Sequence, residues 1–193
     1  IDRGACMLPA YDFTTSERRL NARKLDLRGN GFVIMEGIHA LNPIFTKDLP
    51  EGSAIKLYVS VKQQIKDANG EVISPMDLRL IRRIARDVQF RNTSAERTLS
   101  MWPNVVAGED KYIRPYRMSA DYTVNSIHIY EPCVLRSSVI PLLRRIPEDS
   151  LHYRKARDLD ARLMRFEPVE PGLVPENSML REFLGPKAEK RAE

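Results

Sequence analysis

The stretch RLIRRIARDVQFR, residues 79–91, carries five arginines. A guanidinium is a fixed cation whose planar fork donates in parallel to two oxygens, so a cluster of them suits phosphate or carboxylate. On a wheel at about 100° per residue, Leu78, Leu80, Ile81, Ile84, Ala85 and Val88 share one arc. Arg79, Arg82, Arg83 and Arg86 share the opposite arc, with Asp77 and Asp87 off it. Phe90 falls among the arginines and Arg91 on the apolar side, so the helix is expected to stop or turn there. The pattern predicts a helix over 77–91 that docks by its apolar arc and presents four guanidiniums outward. Three readings are open: a solvated face, a nucleic-acid stripe, or a clamp on a small anionic substrate. Arg79–Arg83 and Arg82–Arg86 are like pairs at i,i+4, each repelling by a few tenths of a kcal/mol, roughly. With no acid expected on that face, the repulsion weighs against plain solvation.

A second chemical feature is VIMEG, residues 33–37. A compact apolar run ending in Glu36 reads as a buried strand with a carboxylate at its carboxyl end, where open α/β sheets bind ligands. A carboxylate there can hold Mg²⁺ beside a nucleotide phosphate, or it can simply be structural. Metal plus arginines would neutralise charge in phosphoryl transfer. Tyr11 and Phe13 in PAYDF can stack on a base or pack. His39, His128 and His152 show no metal spacing, and no G-x-x-x-x-G-K-[ST] phosphate loop occurs in the chain.

The elements that must position these groups follow from pattern. AIKLYVSV (54–61) alternates as a strand, and ADYTVNS (120–126) reads as another. The polar stretch 62–75 reads as a loop with a turn at Asn69-Gly70. Ser94 is placed to cap a second helix, which Pro103 should end or kink. Residues 130–146 look helical around Pro141. Leu159, Leu163 and Phe166 repeat at helical spacing after Ser150, and 177–186 is a short helix stopped by Gly185-Pro186. Strands alternating with helices predict an α/β fold with parallel elements.

Composition narrows the class. A net charge of +5 fits an anionic partner without naming one. Cys6 and Cys133 form no metal-type pair, which favours free thiols and a reducing, cytoplasmic setting. No apolar run reaches the ~18 residues of a membrane span. The chain opens on Ile1 in mid-pattern, so a piece of a longer protein is expected.

Taken together, LPAYDFTTSERR (8–19), VIMEGIHALNP (33–43), IKLYVSV (55–61), residues 77–116, ADYTVNS (120–126) and PENSMLREFLG (175–185) resemble, in order, the uridine kinase-like branch of the P-loop kinases, close to phosphoribulokinase. More narrowly, the chain is similar to the C-terminal part of the long bacterial nucleoside kinases. The resemblance implies a parallel α/β P-loop kinase-like core with an arginine-rich helical lid, about 77–116, and C-terminal helices. Residues 1–146 would belong to the kinase-like domain and 147–193 to a helical extension. It implies transfer of the ATP γ-phosphoryl group to the 5′-hydroxyl of a nucleoside such as uridine, with Mg²⁺. Glu36 would then lie near metal and phosphates, Arg79, Arg82, Arg83 and Arg86 would be catalytic, and Arg91 would bind substrate. Tyr11, Phe13 and Arg18 would line the nucleoside side. Ser16 stands where the family's uridine kinases carry a histidine, which leaves the acceptor open. The resemblance also implies a larger parent with a phosphate-loop segment ahead of residue 1, so the fragment alone should be inactive. A homo-oligomer is allowed, and neither membrane nor nucleic acid is an expected partner. Two alternatives stay open: a non-catalytic RNA- or anion-binding module, and a related kinase acting on a phosphorylated sugar.

Overall fold

The computed structural model describes residues 4–12, 15, 17–27, 31–67 and 69–185. The chain divides into two compact units, Ile1–Ala40 and Leu41–Glu193.

The first unit holds an antiparallel ribbon of β1 (Ala5–Asp12) and β2 (Glu17–Asp26), in which Leu8 faces Arg23 and Tyr11 faces Arg18. The register shifts between Leu8 and Ala10, across Pro9, whose ring removes a ladder donor. Arg19 pairs with Asp12 at 2.8 Å and Lys24 with Asp26 at 3.0 Å. The buried strand expected over 33–37 is not formed. Residues 31–36 are irregular, and Phe32 and Ile34 are each 84% exposed. A strand is buried only when a sheet covers it. Among the described residues of this unit, β1 and β2 pair with each other and this run joins neither.

In the second unit β3 (Leu57–Ser60) runs parallel to β6 (Tyr122–Asn125), the parallel α/β element that alternation predicted. Side chains lock its ends: Asp121 accepts from the Lys56 N–H at 2.7 Å, and Asn125 from the Lys62 N–H at 3.1 Å. The stretch expected as a loop is instead a hairpin, β4 (Ile65–Asp67) and β5 (Gly70–Ile73), turning at Asn69-Gly70 as predicted. Gly70 holds φ +118, which a side chain would strain. Ile65, Val72 and Ile73 are core residues whose apolar signal is diluted by charged neighbours.

Helix α1 (Pro75–Phe90) opens with Ser74 as cap. Its hydroxyl accepts from the Asp77 N–H at 3.1 Å, and Pro75 supplies a preset φ at the first turn. The helix ends at Phe90, as the wheel required. Helix α2 (Ala95–Tyr112) starts on Ser94 and runs through Pro103, which does not end it. Proline loses one ladder bond on the exposed side, while Ala95, Thr98 and Leu99 are buried and Trp102 packs on the core. Helix α3 (Glu131–Arg144) likewise contains Pro141. Helix α4 (Tyr153–Leu163) buries Ala156, Leu159 and Leu163, and α5 (Arg181–Leu184) buries Phe183 before Gly185 at φ +78. One cluster gathers Leu78, Ile81 and Ile84 with Leu135, Leu143, Leu159 and Leu180. The apolar arc of α1 thus packs on α2, α3 and α5 and shares one core with Leu159 and Leu163 of α4 and with Leu180 just ahead of α5. Among the described residues no helix is long and apolar enough to cross a membrane.

Candidate functional site

The arginines of α1 do not face open solvent as a block of like charge. Each has an acidic partner, three of them from other helices. Arg79 meets Glu109 of α2 at 2.6 Å, with its guanidinium 5.9 Å from the centroid of the Trp102 ring. Arg82 is buried. Its Nε donates to Glu131 Oε2 at 2.7 Å, and its Nη2 to Glu131 Oε1 and, at 2.7 Å, to the Ser126 carbonyl. Its Nη1 reaches the Ser126 hydroxyl at 3.3 Å. Glu131 is wholly buried at the first turn of α3, where the helix dipole favours an anion, and also accepts from the His128 N–H at 2.7 Å. A buried ion pair persists only when forked geometry and further bonds offset desolvation, and both conditions hold here.

The other three guanidiniums converge on Asp87, itself 1% exposed. Arg83 Nε lies 3.1 Å from Oδ2, Arg91 Nη1 3.2 Å from Oδ1, and Arg86 Nε 3.8 Å from Oδ1. The Thr98 hydroxyl of α2 donates to Oδ2 at 3.3 Å. Arg86 also reaches Glu182 of α5 at 3.1 Å. Among the described residues three cations thus share two carboxylates, Asp87 beneath them and Glu182 at the surface, which leaves a surplus positive charge there. Burial lowers the Arg83 pKa from the usual guanidinium value; Asp87 opposes the shift, and Arg86 and Arg91 add to it. Arg83 remains a cation at neutral pH.

This corrects two expectations. Arg82 does not point outward, and acids do relieve the arginine face. The wheel fails because it places Cα positions only, whereas an arginine reaches across a turn to Asp87 and across helices to Glu109, Glu131 and Glu182. Asp87 stands four residues from both Arg83 and Arg91, so its role was readable from spacing. Glu131 and Glu182 left no such trace.

The remaining candidates lie on the first unit. Tyr11 is about half exposed on β1, opposite Arg18 on β2. Glu36 is exposed in the irregular run. Phe13 and Ser16 lie outside the described residues. Among the described residues no group of three or more His, Cys, Asp or Glu side chains is placed to hold a metal, and Cys6 and Cys133 are free thiols. A lone exposed carboxylate still fits Mg²⁺ taken up with a nucleotide, because that ion keeps waters and phosphate oxygens around one or two carboxylates.

Residues 2–131 match the family described as Phosphoribulokinase / Uridine kinase family. A uridine kinase of Ureaplasma parvum serovar 3 is 31% identical over 118 residues, 61% of this chain and 48% of that protein. A uridine kinase of Ureaplasma urealyticum serovar 10 matches to the same extent. One from Staphylococcus aureus is 28% identical over 121 residues, 62% of this chain and 50% of its own length. The chain therefore spans about half the length of these relatives. No solved structure matches it significantly.

Proposed function

Because the chain belongs to the phosphoribulokinase / uridine kinase family, we propose that it is the arginine-bearing part of an ATP-dependent nucleoside kinase. The observation that supports this reading most directly is the surplus positive charge where Arg83, Arg86 and Arg91 converge over Asp87. A phosphoryl group in transfer spreads negative charge over its non-bridging oxygens, and positioned donors lower that barrier without reorganising. On this reading Arg83, Arg86 and Arg91 donate to those oxygens, and Arg79 supports them from the preceding turn of α1. Arg82 takes an anchoring role, because four of its N–H groups are engaged by Glu131 and Ser126.

Glu36 would hold Mg²⁺, which when bound neutralises charge on the polyphosphate. On the family resemblance Tyr11 and Arg18 would face the nucleoside, the Tyr11 ring offering a stacking surface and Arg18 a donor; Phe13, the third residue of that expectation, lies outside the described residues. The bond from the 5′-oxygen to the γ-phosphorus forms as the bond from that phosphorus to the ADP oxygen breaks. The hydroxyl proton passes to solvent or to a base other than the residues named above.

The test is a phosphotransfer assay on the full-length protein with ATP and a panel of nucleosides and sugar phosphates. Turnover of a nucleoside is expected, with Arg83→Ala lowering kcat by about 10²-fold, the scale of one lost transition-state donor. Full turnover by Arg83→Ala would sink the arginine assignment. Turnover of sugar phosphates alone would replace the acceptor.

A further inference from the structure

We propose that Asp87 is a positioning residue for the phosphate site: a buried carboxylate that sets the directions of Arg83, Arg86 and Arg91 and is itself held by Thr98. The proposal rests on the arginine reading above and adds the element that makes it work. Three guanidiniums within a little over two turns, on α1 and its C-cap, repel one another, and each side chain has many rotamers. Left alone they would splay, and a substrate phosphate would have to gather them during the reaction. A preorganised site avoids that reorganisation.

The geometry is that of a pedestal. Asp87 lies beneath, its side chain 2% exposed, while those of Arg83, Arg86 and Arg91 are 22%, 25% and 40% exposed above it. Oδ1 accepts a hydrogen bond from Arg91 and Oδ2 one from Thr98, while Arg83 Nε at 3.1 Å and Arg86 Nε at 3.8 Å are held at ion-pair distance without a hydrogen bond of their own. Thr98 is fully buried on α2, so it ties the pedestal to a second helix. The Asp87 backbone adds to this. Its carbonyl accepts from the Arg91 and Thr93 N–H groups, each at 3.1 Å, and so closes α1 where Arg91 must turn back. Asp87 sits below the guanidiniums and is not placed to touch a phosphate itself; it acts through the arginines.

The experiment exploits a difference in sign. If Asp87 were only a countercharge, removing its charge would raise the local potential, and a polyanion would bind more tightly. If it positions the arginines, binding weakens. Inorganic pyrophosphate is titrated calorimetrically into the full-length protein and its Asp87→Asn, Thr98→Val and Thr98→Ser variants, with folding checked by circular dichroism. Asp87→Asn is expected to bind about 10-fold more weakly and to lose about 10- to 100-fold in kcat, with nucleoside KM little changed. Thr98→Val leaves every charge in place, so it tests the proposal even if Asp87→Asn fails to fold. It should weaken binding by about 3-fold or more, and Thr98→Ser should restore it, as expected for one lost orienting hydrogen bond. Equal or tighter pyrophosphate binding by the Asp87→Asn or Thr98→Val variant overturns the positioning role while leaving the kinase reading intact. Wild-type protein that neither binds pyrophosphate nor transfers phosphate overturns both.

Discussion

Arg82 and Asp87 occupy neighbouring turns of one helix, yet burial gives them opposite tasks. Arg82 brings a cation inward and meets the buried Glu131 in a fork. Asp87 brings an anion inward and leaves its cations near the surface. The first arrangement joins α1 to α3; the second leaves charge available to a ligand. Glu131→Ala should therefore act as a stability mutation, since removing one partner strands a buried guanidinium at a cost of about 3–5 kcal/mol. Chemical denaturation of the variant checks this, with Arg82→Ala expected to destabilise comparably because it strands the carboxylate. A double substitution to matched apolar residues should recover much of the loss. A Glu131→Ala protein that unfolds at the wild-type midpoint would falsify the anchoring role. The fork was not legible in the sequence, because its two halves are 49 positions apart and neither marks the other.

The elements were legible where local chemistry dictates them. The wheel announces the helix over 77–91 and its end at Phe90, while its start lies two residues earlier, at Pro75 behind the Ser74 cap. They were not legible where tertiary packing outweighs local preference. Pro103 sits inside α2 instead of ending it because buried neighbours dock that helix on the core, whereas Pro141 lies inside α3 as the helical reading of 130–146 had it. Residues 33–37 carry a strand pattern without a sheet to receive it. Helix α4 shows a local charge pattern with a measurable signature. Burial pushes the Asp158 carboxyl up, but hydrogen bonds from Arg162 at 2.9 Å and Lys155 at 3.3 Å outweigh it and hold the pKa below the ordinary value. A depressed folded-state pKa stabilises the fold above the unfolded pKa, about 4. That contribution fades as pH falls through the folded value. The pair is largely exposed and screened, so Asp158→Asn should cost only a few tenths of a kcal/mol, roughly, at pH 7. Urea midpoints of wild type and variant should converge once the pH has fallen below the depressed folded-state pKa. A gap that widens on acidification would show that the carboxylate is not held by those cations.

At the scale of the molecule, the arginine helix depends on chain that the family match does not reach. The match ends at residue 131, where α3 begins. The core beneath α1 nevertheless includes Leu135, Leu143, Leu159, Leu163, Val174, Leu180 and Phe183. Lys155 of α4 reaches Asp77 at the start of α1 at 2.6 Å, Ser150 donates to Glu96 at the start of α2 at 2.5 Å, and the Phe183 ring centroid lies 5.4 Å from the Arg82 guanidinium. Segments on both sides of residue 146 thus share one apolar cluster, and cooperative unfolding of the second unit follows from that packing. Leu159 is fully buried on α4, and its truncation to alanine should cost about 2–5 kcal/mol. The chain's single tryptophan, Trp102, sits on α2 and reports from the far side of the residue-146 boundary. In Leu159→Ala, tryptophan fluorescence and far-ultraviolet circular dichroism should move to lower urea together, in one transition. If circular dichroism lost amplitude early while Trp102 kept its wild-type midpoint, residues 147–185 would be a separately folding extension. The arginine helix would then stand on α2 and α3 alone.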